Sequence, residues 1–317
     1  MTNRVVYFNG QFVAERAACI SMFDSGLMYG DMAFEMTRTF HQQLFHLRDH
    51  LQRLADSLQF LKIDCGLSLD DLERLTRETL ARNLPTEADD VDWHVRHDIS
   101  RGPVELYGCT FPEVRPTVLI SCWPLIKHMG RFAPLYDTGV DLVVSPQHAL
   151  PASLLNPLMK TRSRVHFQLA NLQAPPGAWP VLTDPQGFLA EGPSWNIFLV
   201  KNGELLSPDP RNILHGISRE ITIEAARRLG IPVRVGDFDR QTALAADEIV
   251  CTATSFGLVY ARTFEGATVG NGQPGPIYRQ LFEIWKEVVG LDFVAQARSY
   301  TPRVAEWDAR ERAAALA

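Results

Sequence analysis

The chain has 317 residues, of which 46% are hydrophobic and 21% charged, and a formal net charge of -6 at pH 7. That length allows two domains with separate cores, and an acidic balance without any Lys/Arg run excludes a nucleic-acid partner. No apolar leader or membrane-length run is visible, and Cys19, Cys65, Cys109, Cys122 and Cys251 form no Cys-x-x-Cys pair, so a reducing, cytoplasmic setting with no membrane and no metal is expected.

The first residues alternate as a hairpin, Val5 to Phe8 and Gln11 to Val13 about an Asn9-Gly10 turn. A Gly-punctuated loop from Asp24 to Asp31 leads into a strand, and a second turn falls near His41-Gln42-Gln43. From Asp49, Leu51, Leu54, Leu58 and Leu61 mark one helix face, and a further helix capped by Ser68 carries Leu72, Leu75 and Leu80. Two strands follow, Asp92 to Ile99 and Thr117 to Trp123. A helix beginning at Ser163 is expected to bury Val165, Leu169 and Leu172. The second half reads as strands (Gly139 to Ser145, Pro180 to Thr183, Asn196 to Lys201, Glu248 to Thr252) alternating with helices, among them Ser218 to Leu229. The last clear helix is expected to bury Ile277, Leu281, Ile284 and Val288, with a polar, partly docked tail from Ala295.

Four stretches carry candidate chemistry. Lys160 lies between a Pro-rich loop and a helix start, and its amine is a nucleophile where burial or the neighbouring Arg162 and Arg164 favour the neutral form. Glu191 stands in a Gly/Pro turn before an apolar strand, where a carboxylate can keep a pyridine nitrogen protonated. Gly216 precedes a strong helix whose first N–H groups, with Ile217 and Ser218, suit a phosphate. Thr252, Thr254 and Ser255 end a buried strand in hydroxyls able to donate to the same group.

In this order and at these separations the stretches resemble the class-IV aminotransferases of the branched-chain type, from about Tyr7 to Val289. The residues concerned are Tyr29-Gly30-Asp31 with Phe34-Glu35, Arg48 to Leu54, Lys160, Glu191-Gly192 with Asn196-Ile197-Phe198, Gly216 to Arg219 and Thr252 to Thr254. The resemblance implies a fold type IV pyridoxal-phosphate enzyme of mixed α/β (α+β) class. It also implies a small N-terminal domain over 1–127, a linker over 128–135, and a larger pseudobarrel domain with the tail over 136–317. By the same resemblance Lys160 holds pyridoxal 5'-phosphate as a Schiff base and shuttles a proton. Glu191 pairs with the ring nitrogen, and Arg53, Ile217, Ser218 and Thr254 hold the phosphate, with Ser194 and Thr252 also at the cofactor. The branched-chain type has an Asn-Tyr pair after the lysine; here Arg164-Val165-His166 stands instead, so the tyrosine's hydrogen bond to the cofactor is either lost or supplied otherwise, with Arg164 and His166 the candidates.

Substrate contacts implied are Tyr29, Phe34, Ser255 and, for the carboxylate, Arg96 with His94, while Arg38, Arg101 and Arg115 are rival clamps. The family reading is a transaminase carrying an amino group from an apolar amino acid to a 2-keto acid such as 2-oxoglutarate or pyruvate, as a homodimer. A D-amino-acid or (R)-amine transaminase and an aminodeoxychorismate-lyase-like enzyme are alternatives on the same scaffold, and a non-catalytic cofactor binder is the alternative outside enzymes.

Overall fold

In the computed structural model, which describes residues 4–316, the chain divides into two units, each with its own sheet. The first takes the described residues up to Arg131, Met159–Arg164 and those from Ser299 onward; the second takes Phe132–Leu158 and Val165–Arg298.

The first unit begins with β1 (Val5–Phe8) and β2 (Gln11–Ala14), joined by Asn9 and Gly10 at φ 47° and 91°. Two consecutive positive φ values make the turn whose twist matches the strands. Asp24 then caps α1 (Ser25–Tyr29) by accepting from the Gly26 N–H, so the expected loop contains a short helix. Strand β3 (Met32–Phe40) turns at His41 and Gln42 into β4 (Gln43–Leu44). Next come α2 (Leu47–Leu61) and α3 (Leu69–Asn83), the latter opened by a capping box in which Ser68 and Asp71 satisfy each other's backbone N–H. Their leucines Leu51, Leu54, Leu58, Leu72, Leu75 and Leu80 are buried against Trp93, Val95 and Ile99 of β5 (Trp93–Ser100) and Val118 and Ile120 of β6 (Thr117–Pro124). The described strands run in the order β2-β1-β6-β5-β3-β4. A helix, α4 (Ile126–Phe132), follows.

The second unit contains α5 (Leu135–Thr138), β7 (Val140–His148), α6 (Val165–Gln173), β8 (Ala178–Thr183), β9 (Glu191–Gly192), β10 (Trp195–Lys201), β11 (Glu204–Pro208), α7 (Ile217–Arg228), β12 (Val233–Gly236), α8 (Arg240–Leu244), β13 (Glu248–Ala253), β14 (Gly257–Phe264), β15 (Ala267–Thr268) and α9 (Pro276–Val289). Its main path is β12-β11-β10-β13-β14-β7-β8, antiparallel from β11 to β14. Simple strand–helix alternation is therefore corrected. Asn202-Gly203 and Glu265-Gly266 both sit at positive φ and close hairpins with no room for a helix.

Two helix faces also differ from expectation. On α6, Val165, Leu169 and Leu172 are 72%, 39% and 70% exposed, while Ala170 is buried and Phe167 packs against Ala149, Leu182, Ala190 and Ile213. On α9 the buried stripe is Ile277, Leu281, Trp285 and Val289, with Val288 exposed. Trp285 sets that face, because its Nε1–H donates to Thr222 Oγ1 at 3.1 Å.

The tail is helical: α10 (Phe293–Tyr300) and then α11 (Val304–Leu316). Within the first unit Arg4 donates to both oxygens of Glu311 at 3.0 and 2.9 Å, and Lys127 and Arg131 pair with Asp308 at 2.7 and 2.6 Å. Among the described residues no helix is long and apolar enough to cross a membrane, and no cluster of His, Cys, Asp and Glu is placed to hold a metal ion.

Burial makes this unit sensitive to acid. His97 Nε2 lies 2.7 Å from Thr76 Oγ1, whose own proton goes to the Leu72 carbonyl, so Nε2–H is the donor. Burial pushes His97 down to about 4 and also lowers His50, His94 and His128. A depressed native value means that the unfolded chain takes the proton first, so this stability is present above pH 6.5 and is lost as pH falls toward 4. For His97 alone the shift amounts to roughly 3 kcal/mol. The denaturant midpoint is expected to fall steadily between pH 7 and 5; a constant midpoint across that range would refute the account.

Candidate active site

Lys160 enters as an extra edge on β3. The Phe34 N–H donates to the Lys160 carbonyl at 2.9 Å, Thr161 bridges Ala33, and the Arg162 N–H donates to the Met32 carbonyl at 2.9 Å. Strand β4 pairs only with Thr39 and Phe40, so the start of β3 is open to this segment. A further bond, from the Lys160 N–H to Ser57 Oγ at 3.1 Å, ties it to α2. Its ammonium lies 5.2 Å from the Phe34 ring centroid and 3.7 Å from Glu35 Oε1.

Glu35 is fully buried on the helix-facing side of β3. Arg53 donates to both its oxygens at 2.8 and 2.7 Å, and His50 Nδ1 contacts Oε1 at 3.0 Å. Burial alone pushes this carboxyl up; Arg53, Lys160 and His50 outweigh that and hold it well below the usual carboxylate range. The charged partner found at the lysine amine is thus a carboxylate. Arg162, expected to lend positive charge there, instead donates Nε and Nη2 to Asp98 Oδ1 at 2.9 and 2.5 Å, while Arg164 lies 5.2 Å from the Phe34 ring centroid.

Of the expected carboxylate clamps, Arg38 is corrected. It is completely buried, with Nη2 3.7 Å from Asp92, Nε donating to the Thr39 carbonyl and its guanidinium 4.0 Å over Phe40, so it is a core ion pair and no ligand reaches it. Arg96 remains half-exposed at 2.6 Å from Asp98 and 4.6 Å over Trp123. His94 packs 5.1 Å from His128, and burial, with His128 and Arg38 adding to it, keeps it well below its ordinary value and neutral. Arg101 pairs with Asp31 and Arg115 with Glu113. Tyr29 ends α1 with its side chain exposed.

In the second unit, Glu191 accepts from Asn196 Nδ2 at 3.1 Å and from the Leu214 N–H at 3.2 Å, and β9 pairs with β10 to set that geometry. Two glycines permit it. A Cβ on Gly192 would run into the Trp195 indole, and one on Gly216 into Asn196 Oδ1, the amide that holds Glu191. Gly216, with Ser218 two positions on, is the N-cap of α7; the helix has no side-chain cap, which leaves its N-terminus suited to an anion. Ser194 is exposed in the turn between β9 and β10, and Thr254 and Ser255 are half-buried in the turn after β13. Thr252 is corrected as a phosphate donor, since its hydroxyl proton goes to the Gly257 carbonyl at 2.8 Å. Sequence reasoning gave no role to Glu35, Asp98 or Asn196. Polar and charged residues inside apolar strands were the available signal.

The family model described as Amino-transferase class IV matches residues 32–264. A putative branched-chain-amino-acid aminotransferase of Methanocaldococcus jannaschii is 32% identical over 286 residues, covering 89% of this chain and 96% of that protein. The branched-chain-amino-acid aminotransferase of Salmonella typhimurium is 28% identical, covering 87% and 90%. The crystal structure of the Escherichia coli branched-chain amino acid aminotransferase superposes with a TM-score of 0.81 at 26% identity, covering 91% and 94%. The T.th. branched-chain amino acid aminotransferase, crystallised with pyridoxamine 5'-phosphate, shares the fold at a TM-score of 0.80 and 24% identity, covering 91% and 95%. This chain belongs to the class IV aminotransferases and is a pyridoxal-phosphate-dependent transaminase of fold type IV.

Proposed function

We propose that the enzyme moves an amino group from an apolar, branched-chain type amino acid to a 2-keto acid such as pyruvate or 2-oxoglutarate. The observation that carries this reading is Lys160, tied to β3 and α2 by its backbone with its amine beside Phe34. The donor class is supported by the branched-chain names of the relatives and by Phe34 as an apolar wall.

The residues fit the cofactor chemically: an amine, a guanidinium at Arg53, a carboxylate already held by Asn196, and an uncapped helix N-terminus at Gly216. Bound pyridoxal phosphate supplies the carbonyl that takes up the amino group and a ring that accepts electron density. Lys160 Nζ moves the proton at the substrate carbon. Glu191 holds the proton on the ring nitrogen, with its own orientation fixed by Asn196 and the Leu214 N–H. Arg53, Ile217, Ser218 and Thr254 bind the phosphate, and Glu35 orients Arg53. We further propose a homodimer, supported by the exposed apolar residues of α6, and a reducing cytoplasmic setting, supported by five unpaired thiols.

The test is the absorbance spectrum of the cofactor-loaded protein before and after L-leucine, D-alanine and (R)-1-phenylethylamine, each added separately. Bleaching of the visible band by L-leucine is expected. Bleaching by D-alanine or the amine alone moves the enzyme to the D-amino-acid or (R)-amine type, and absence of a visible band refutes Lys160 as the cofactor lysine.

A further inference from the structure

Arg96 and Asp98 lie two apart on β5, so their side chains share a face, and the register Asp98↔Phe34 and Arg96↔Met36 places that face with Phe34. The added edge brings Arg162 to the same face, where its guanidinium lies 3.9 Å from the Phe34 ring centroid, the ring that Lys160 also approaches. Asp98 sits between two arginines: Nε and Nη2 of Arg162 at 2.9 and 2.5 Å from one oxygen, Nε of Arg96 at 2.6 Å from the other. Its side chain is 7% exposed; those of Arg96 and Arg162 are 30% and 33% exposed.

Two arginines converging on one carboxylate is the arrangement that recognises a carboxylate ligand. Here the protein's own carboxylate is seated in it. The trio carries a charge of +1 where the bare clamp would carry +2, and Asp98 repels a second carboxylate brought to the same face.

We infer that Asp98 is an internal carboxylate that selects against a second, side-chain carboxylate on the substrate, so that the preferred amino acceptor is a monocarboxylic 2-keto acid of the pyruvate type over 2-oxoglutarate. This rests on the transaminase reading above and narrows it. Asp98 and Arg162 are specificity residues, and neither takes part in moving the proton.

The test is a charge series read as the ratio of kcat/KM for 2-oxoglutarate to that for pyruvate, with one amino donor held fixed. Asp98→Asn raises the local charge to +2 and Arg162→Gln lowers it to zero, so the ratio is expected to rise in the first variant and fall in the second. Like-charge juxtaposition costs several kcal/mol, so each change is expected to be on the order of tenfold or more. A purely structural role lowers both acceptors together and leaves the ratio unmoved in both variants, which overturns the inference, as does a wild-type preference for 2-oxoglutarate. Should Asp98→Asn fail to fold, Arg162→Gln alone decides. If no donor is turned over with either acceptor, the transaminase reading itself falls and takes the inference with it; turnover with an unmoved ratio refutes only the inference.

Discussion

Lys160→Ala is expected to remove turnover with every amino donor and to remove the visible absorbance of the cofactor-loaded protein. On the proposed function the amine is both tether and proton carrier, and proton transfer by a positioned group is by itself worth about 10²–10⁴ in rate, so a loss of at least ~10³-fold is expected. No neighbouring lysine substitutes, since none occurs between Lys127 and Lys201. The fold should survive, because the segment is held by backbone bonds to Phe34, Met32 and Ser57, and Glu35 keeps Arg53 and His50. Stopped-flow turnover and the absorbance spectrum check it. A variant that turns over near the wild-type rate sinks the assignment of Lys160.

Glu35→Gln is expected to have the largest effect on stability. It removes a buried carboxylate that Arg53 grips through both oxygens and that His50 and Lys160 also face. Breaking a buried pair by removing one partner costs about 3–5 kcal/mol, because the remaining charge stays buried without compensation. For a chain of this size that corresponds to a fall in melting temperature on the order of 10 °C. Arg53 also loses its orientation, so retention of pyridoxal phosphate should weaken in the same variant. Thermal unfolding of the cofactor-free protein and a cofactor titration measure the two effects separately; an unchanged melting temperature would show that Glu35 is not the anchor of this cluster.

Local elements were largely legible in the sequence, because their signals are local. Asn9-Gly10, the Ser68 capping box and the leucine stripe of α2 need only neighbours a few residues away. Lys160 was singled out through its company, as one of several stretches in a recognisable order. What escaped reading depended on partners far along the chain. Glu35 acquires its meaning from Arg53 eighteen residues on, and Asp98 from Arg162 sixty-four residues on. The period of α6 was visible while its buried side was not, since an apolar stripe indicates a covered face without saying what covers it. Thr252 looked like a ligand hydroxyl until its proton was found on the Gly257 carbonyl. On α9 the indole of Trp285 and its bond to Thr222 outrank the aliphatic stripe.

The first and last segments of the chain belong to one unit: Arg4, beside β1, is clamped by Glu311 near the end of α11, and Tyr300 accepts the Asp92 N–H and donates to the Asp90 carbonyl. The six residues Met159–Arg164 enter that same unit from the middle of the chain. During synthesis, then, the ribosome delivers β1 to β6 long before the lysine that docks on β3, and the lysine long before the helix that closes over Arg4. The second unit, which ends at Arg298, is therefore complete before α11 is made, although every strand of the first unit was made earlier, and the first unit is the one that waits for α11.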